Sequence, residues 1–355
     1  MTDRDDTFVV ADIGGTTLRI GHVTAGDPVV RGVRRVATDG LARHPGAPVA
    51  ELQQRVLGQL ATELAAYLVR SEAAGSRAVG LSFAGPTTAD GVALAAPTIW
   101  GEGGGSVALN AHLGARLGVP VLTVNDITAA AWRYAHAGND AFCLFTVSSG
   151  VGSKVFRRGE VLVDDAGFGG ELGHWRVDWS GTAPPCDCGG RGHLGGIASG
   201  RGILRAVRAA ARQRPGEFGV SGLAASSAGR PEGITNEAVA LAVRGGDSFA
   251  VDVLRAALRP LALAVASVFS SIGIRRYIFI GGFAVAVGQP FVDILGDELT
   301  ELGCFGLTPT QVRAMLTLGA ADDDHSLIGV GRLLAAAGAE SRLAAEAAHA
   351  YVDRR

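Results

Sequence analysis

Apolar positions change their period from one segment of this chain to the next, and the period predicts the elements. Residues 7–23 (TFVVADIGGTTLRIGHV) run apolar, break at Gly14-Gly15 and resume as a second strand, which predicts a β-hairpin with a glycine turn. Leu52, Val56, Leu60, Leu64 and Leu68 recur every fourth residue, which predicts an amphipathic helix over 49–71. AVGLSF is a buried strand ending at Ala84-Gly85-Pro86, with a second hairpin-like segment after it. The loop 95–101 carries Trp100, for which packing is the simpler role than walling a cleft. VPVLTV (119–124) is a short strand that delivers Asn125-Asp126 to a helix over ITAAAWRYAHAG. A second apolar strand, 142–147, turns at Ser149-Gly150-Val151-Gly152-Ser153 and returns as KVFRRGEVLV. Apolar strand, hydroxyl-plus-glycine turn, second strand: the design of 7–23 is repeated, as an internal duplication would repeat it.

Beyond residue 200 the pattern is mostly helical. A helix runs through Arg212, a Gly/Ser/Pro-rich stretch from Pro215 to Gly233 reads as a surface excursion, and helices follow over 236–244 and 247–272, the second broken or kinked at Pro260. The strand RRYIFI ends in Gly281-Gly282. The Asp322–Asp324 run reads as a solvated turn, and the terminal helix has Gly329 and Gly331 where close helix packing needs small residues.

Composition narrows the class. With 355 residues and 48% hydrophobic content the chain can fill two domain cores. A net charge of −2 leaves no field to hold a polyanion, so nucleic acid and anionic membrane are not expected partners. The N-terminus is acidic where a signal peptide is basic, and no apolar run reaches 18 residues without a charge or a break, so a cytoplasmic protein is expected. Of 32 basic residues all but Lys154 are arginine. Lys154 follows the second glycine turn and reads as a solvated strand-edge lysine rather than a nucleotide contact. Cys143 and Cys304 lie in apolar surroundings and read as buried free thiols.

The candidate chemistry is concentrated in 169–200. His174, Cys186, Cys188 and His193 supply two imidazoles and two thiolates, the ligand set of a closed tetrahedral Zn²⁺ site, inside a Gly/Pro-rich loop that needs a staple. Glu171 stands just before them. The turns at Gly14-Gly15-Thr16-Thr17 and at Ser149-Gly150-Gly152 leave backbone N–H groups able to meet an anion, with Asp12 placed to hold Mg²⁺ through water. Gly281-Gly282 is a third place where backbone approaches a ligand closely. Asp126, at a strand end that opens a helix, is either a plain N-cap or a base in a cleft; position alone favours the cap.

In order and spacing these pieces resemble the ROK family of sugar kinases, within the actin-like, hexokinase-like ATPase fold. The resemblance rests on Asp12-Ile-Gly14-Gly15-Thr16, Asn125-Asp126, Ser149-Gly150-Val151-Gly152, Glu171-Leu-Gly-His174, Cys186-Asp-Cys188-Gly189 and Gly281-Gly282, and it covers essentially the whole chain. It implies an α/β fold of two domains with an interdomain active-site cleft. A small domain of 1–125 plus 333–355 and a large one of 126–332 with a zinc loop at 174–193 are expected. It further implies ATP and Mg²⁺, Asp126 as base, and Asn125, Glu171, His174 and Thr98 around the polyol. Ser149, Gly150, Gly152, Gly281 and Gly282 join the Asp12–Thr17 motif around the nucleotide, and a homodimer is expected. Two departures stand out. His193 occupies the place of the zinc loop's last cysteine, and Gly195 that of a glutamate that binds sugar hydroxyls; Thr98 likewise stands where sugar-binding members have asparagine. A site missing hydrogen-bonding partners discriminates strongly against the ligand that needs them. The expected acceptor is therefore a primary hydroxyl of a sugar mimic, a C7-cyclitol of the valiolone or valienol kind from an aminocyclitol antibiotic pathway, with an ordinary glucose or N-acylhexosamine kinase as the alternative. ROK transcriptional regulators carry a winged helix ahead of the phosphate motif, for which the residues before Asp12 leave no room, and a non-catalytic sugar-binding protein is disfavoured by the intact Asp12, Asp126 and glycine turns.

Overall fold

The computed structural model describes residues 7–70, 73, 75–135, 141–164 and 166–352. The chain forms two compact units, unit 1 from Met1–His136, Val163–Gly169 and Asp322–Arg355, and unit 2 from Ala137–Leu162 and Gly170–Ala321.

Unit 1 is built on the hairpin of β1 (Thr7–Ile13) and β2 (Thr17–Thr24), extended antiparallel by β3 (Asp27–Ala37). Helix α1 (Val49–Leu68) buries the leucine stripe read from the sequence. β4 (Val79–Phe83) then pairs parallel with β1, the short strands β5 (Val92–Ala93) and β6 (Val107–Ala108) pair with each other, and α2 (Leu109–Leu117) leads to β7 (Val121–Asn125), parallel to β4. The sheet order is β3-β2-β1-β4-β7. Such parallel crossovers bury both faces of β1 and β4, which is why their sequences are almost continuously apolar. Trp100 is buried against Phe83, ring centroids 5.2 Å apart, so its role is packing. Helix α3 (Asp126–Trp132) follows directly on β7; the expected continuation of this helix over 136–138 lies outside the described residues, as does Ser71 at the end of the expected first helix.

Unit 2 repeats the plan. β8 (Phe142–Val147), β9 (Val151–Arg157) and β10 (Glu160–Val161) are antiparallel, and β11 (Tyr277–Ile280) and β12 (Leu316–Leu318) add in parallel, giving the order β10-β9-β8-β11-β12. The duplication suggested by the two hairpins thus extends to all five strands. Between β10 and β11 come α4 (Leu194–Ala198), α5 (Gly200–Gln213), α6 (Pro215–Gly219), α7 (Gly222–Ser226), α8 (Asn236–Arg244) and α9 (Ser248–Ile272). The stretch 215–233 is not a surface excursion, because Phe218, Leu223 and Ala224 anchor α6 and α7 in the core. Nor does Pro260 break α9, which continues as one helix with Leu254, Leu258, Leu261 and Val265 buried around it. Although α9 is long and apolar enough to span a membrane, that stripe is packed in the core of unit 2. After β11, α10 (Gly282–Val287), α11 (Gln289–Leu302) and α12 (Pro309–Ala314) complete the unit. Cys143 and Cys304 are buried free thiols, as their surroundings suggested, and burial pushes the Cys143 thiol far up.

The chain then returns to unit 1 through α13 (His325–Val352). Leu327, Val330 and Leu334 pack with Phe8 and Val10 of β1, Val23 of β2 and Ala129 of α3. Gly329 permits this: a Cβ there would collide with the Ala129 carbonyl oxygen, and one on Gly331 would come within 2.5 Å of Val23. The boundary expected at 125/126 therefore falls inside unit 1, since α3 is held by α13, and the C-terminal share of unit 1 begins at Asp322 rather than 333.

Candidate functional site

In unit 1, the β1–β2 turn is closed by the Gly14 N–H donating to the Thr17 carbonyl at 3.0 Å and braced by the Thr38 hydroxyl on the Gly14 carbonyl at 2.8 Å. Thr16 is exposed at its tip, and Gly15 lies directly against the Thr98 backbone, whose carbonyl oxygen a Cβ would strike. Thr98 thus borders the first glycine turn. Asp12 sits opposite Arg19 in the hairpin register. Its Oδ2 accepts from Arg19 Nη2 at 2.8 Å and Nε at 3.2 Å, and its Oδ1 from the Ser82 hydroxyl at 2.7 Å. With both oxygens held, the carboxylate has a fixed direction.

At the β7–α3 junction the cap is Asn125, not Asp126. Asn125 Oδ1 accepts from the Ile127 and Thr128 N–H groups at 3.0 and 3.2 Å, while its Nδ2 donates to the Gly85 carbonyl at 3.1 Å and to Asp126 Oδ1 at 2.9 Å. A side-chain amide makes four hydrogen bonds, and these are four. Asn125 is fully used in fixing the helix start and the Asp126 carboxylate, which also accepts from the Ile127 N–H at 3.0 Å. Asp126 is left as the first helical residue, where the helix N-terminus favours a negative charge.

The acidic run 322–324 is not a plain solvated turn. Asp322 pairs with Arg133, which holds its carboxyl well below the usual range. Asp323 binds Arg35 at 3.2 Å, and Arg19 reaches Asp323 through both its backbone carbonyl and its carboxylate. Beside them His325 Nδ1 lies 3.2 Å from Arg133 and 3.1 Å from the Tyr134 hydroxyl; burial first, then Arg133, lower its pKa to about 4. Arg19 therefore links Asp12 to the start of α13.

In unit 2 the β8–β9 turn is exposed at Ser148–Gly150 and tied to α5 by Gly200 N–H on the Ser148 carbonyl (2.8 Å) and Arg201 Nε on the Ser149 carbonyl (2.9 Å). Gly152 is not in the turn but in the β9 ladder opposite Thr146. Gly281, at φ +97°, lies so close to β8 that a Cβ would be 2.7 Å from the Val147 carbonyl oxygen, and a Cβ on Gly282 would reach to 3.8 Å from the Ser148 hydroxyl. Gly281-Gly282 and the second turn are thus neighbours.

Glu171 precedes the 3-10 turn Leu172–His174. Its Oε1 accepts from Lys154 Nζ at 3.0 Å, and the lysine side chain is only 2% exposed against 54% for the glutamate. The solvated strand-edge lysine expected from the sequence is in fact buried, because the chain 170–171 folds back over β9, with the Ser153 hydroxyl donating to the Gly170 carbonyl. Its one available signal was its solitude among arginines.

The four metal-ligand candidates converge. His174, Cys186, Cys188 and His193 bring ligand atoms all within 4.8 Å of one another, slightly wider than a common centre about 2.0–2.3 Å from each nitrogen and sulfur spans, so that small side-chain movements would close them on one ion. Cys188 Sγ and His193 Nδ1 are 3.2 Å apart, and the two imidazoles stand edge to face. The loop is laced by backbone bonds, Cys186 N–H to Gly190 O (2.8 Å), Gly192 N–H to Pro184 O (2.8 Å) and Leu194 N–H to Trp175 O (2.9 Å). His193 fits as the fourth ligand, and a zinc ion suits this donor set. A cavity of about 100 Å³ adjoins it, lined among others by Gly150, His174, Gly195, Arg201 and Arg205. Gly195 thus opens on the same space as the second turn and the metal loop.

The ROK family profile matches residues 12–334. The C(7)-cyclitol 7-kinase of Streptomyces hygroscopicus subsp. jinggangensis is 58% identical over 93% of this chain and 94% of its own length. The 2-epi-5-epi-valiolone 7-kinase of an Actinoplanes strain is 33% identical over 71% of this chain and 70% of its own. Among solved structures, the ROK glucokinase of Streptomyces griseus in complex with glucose and AMPPNP superposes with a TM-score of 0.69 at 26% identity, covering 92% of this chain and 98% of that one. With nearly its whole length matched, the chain belongs to the ROK family.

Proposed function

We propose that the protein is an ATP-dependent kinase of C7 cyclitols that phosphorylates the exocyclic 7-hydroxyl. The observation that carries this is the 58% identity, extending over both units, to a C(7)-cyclitol 7-kinase. The residues are consistent with it. Asp126, held by Asn125 and the Ile127 N–H, is the base that receives the hydroxyl proton as the oxygen attacks the γ-phosphorus. Asn125 serves by orienting Asp126 rather than by binding the ring. Glu171 and His174 accept and donate hydrogen bonds to ring hydroxyls, with Thr98 beside the first turn. The turns at Gly14–Thr17 and Ser149–Gly150, with Gly281-Gly282, take the nucleotide. Mg²⁺, held through Asp12, supplies neutralising charge to the transferring phosphoryl group. Zn²⁺ on His174, Cys186, Cys188 and His193 is structural and fixes the loop that bears the recognition groups; metal analysis should find one zinc per chain and none in His193→Ala. The missing side chain at Gly195 favours a cyclitol over a hexose.

A coupled ADP-release assay with 2-epi-5-epi-valiolone, glucose and N-acetylmannosamine tests the assignment. The cyclitol should be preferred over both sugars by about 100-fold or more in kcat/KM, a discrimination within reach of hydrogen-bonding sites. Efficient turnover of glucose with none of the cyclitol would overturn it.

A further inference from the structure

Lys154 is the one lysine of a chain whose other basic residues are all arginine, and it is among the most buried side chains of unit 2. A buried ammonium is costly unless it is paired and hydrogen-bonded. One partner of its ammonium, Glu171, is more than half exposed. The asymmetry is informative: a pair serving only the core would bury both charges, whereas here the cation is inside and the carboxylate is at the surface. Among the described residues, Glu171 Oε1 is taken by Lys154, and Oε2 has no protein partner.

Two features of the backbone hold the lysine to this task. Lys154 lies on β9, opposite Leu144 of β8, so its starting point is fixed by the sheet. Gly170, at φ +70°, has no side chain where a Cβ would come within 3.1 Å of Lys154 Cδ, and this leaves a channel for the lysine stem beneath 170–171. A slender stem with a terminal point charge suits that channel; the planar fork of arginine, the cation used everywhere else in the chain, is wider.

We infer that Lys154 is a positioning residue that determines substrate recognition: it fixes Glu171 by Oε1 so that Oε2 is presented as a hydrogen-bond acceptor to a hydroxyl of the polyol. The inference rests on the reading above that Glu171 contacts the substrate. Held on one oxygen by a fixed ammonium, the carboxylate cannot rotate away. Without it, Glu171 samples its rotamers in water and each binding event must order it anew, which weakens polyol binding and leaves the nucleotide unaffected.

The test compares Lys154→Met, Lys154→Arg, Glu171→Gln and the double variant Lys154→Met/Glu171→Gln for kcat and for KM toward 2-epi-5-epi-valiolone and ATP. Lys154→Met should raise the cyclitol KM about tenfold, leave the ATP KM within about twofold and melt at the wild-type temperature. Lys154→Arg should recover part of the loss. The double variant should be no worse than Glu171→Gln alone if the lysine influences polyol binding through the glutamate. In the unsubstituted protein, ¹³C-labelled lysine gives a single side-chain signal, and this should shift both on Glu171→Gln and on saturation with the cyclitol. A wild-type cyclitol KM in Lys154→Met alongside a raised one in Glu171→Gln, or additive losses in the double variant, would overturn the role of Lys154. If Glu171→Gln leaves the cyclitol KM unchanged and the lysine signal ignores the cyclitol, the fault lies instead in assigning Glu171 to the substrate.

Discussion

Each of the two five-stranded sheets carries a cation, largely or fully buried, on the second strand of its hairpin, and each cation holds a carboxylate. In unit 1 the pair is Arg19 and Asp12, cross-strand neighbours of a single hairpin, 12% and 16% exposed. In unit 2 it is Lys154 and Glu171, the second of which arrives on a loop outside the sheet. The difference separates two kinds of work. A carboxylate anchored in its own ladder moves only if the sheet moves, which suits a group that must direct charge in a fixed reaction geometry. A carboxylate supplied by a loop can be redirected or replaced while the sheet stays intact, which suits choice of substrate. On the proposed assignments, the duplicated scaffold carries a metal-directing carboxylate on one copy and a substrate-recognising carboxylate on the other.

The largest effect should come from the proposed base. Asp126→Asn would remove the proposed proton acceptor while preserving the shape of the β7–α3 junction, and kcat should fall by about 10²–10⁴-fold. Equilibrium binding of the cyclitol should persist; comparable losses of kcat and of binding would overturn the assignment of Asp126 as base. A sharper contrast comes from deleting the two cations. Arg19→Met strands a largely buried carboxylate and should cost about 3 kcal/mol by chemical denaturation. Lys154→Met leaves Glu171 free to turn to water and replaces a buried charge by a packed apolar chain, so its cost should be small beside that of Arg19→Met. Equal costs would mean that the two pairs do the same work.

Acid should distinguish unit 1 as well. His325 has a folded pKa of about 4, below its unfolded value, so between that pH and about 6.5 the unfolded chain binds the extra proton. Stability is then full above pH 6.5 and falls as the pH is lowered, by about 3 kcal/mol at pH 4 if nothing else titrates. Below pH 4 the loss continues as Asp322, depressed by Arg133, takes its proton. Thermal melts between pH 7.5 and 4.5 should slope downward in the wild type and flatten in His325→Gln.

What was legible in the sequence follows the distance between partners. The four metal-ligand candidates lie within twenty positions of one another in a loop too rich in glycine and proline to be anything regular, so their convergence could be read directly. The hairpins, the leucine stripe of α1 and the small residues of α13 are likewise local patterns. Lys154 was misread because its burial depends on Gly170 and Glu171 returning over β9, and nothing in KVFRRG signals that return. The acidic turn was misread because Arg19, Arg35 and Arg133 come to Asp322 and Asp323 from far up the chain. At Asn125-Asp126 the dipeptide announced a cap, but which residue caps is decided by the Gly85 carbonyl, to which only the asparagine amide can donate.

The seating of α13 on β1, β2 and α3 also sets a timetable. A ribosome releasing this chain completes the strands of the first sheet early, yet Phe8, Val10 and Val23 wait for Leu327, Val330 and Leu334, made only after all of unit 2. At typical rates of about 5–20 residues per second, the delay is on the order of ten seconds or longer. Throughout that interval one face of a finished sheet stays greasy and unclothed. Unit 2, nearly continuous in the chain, can mature first, and the nascent first unit is the part most in need of a chaperone's shelter.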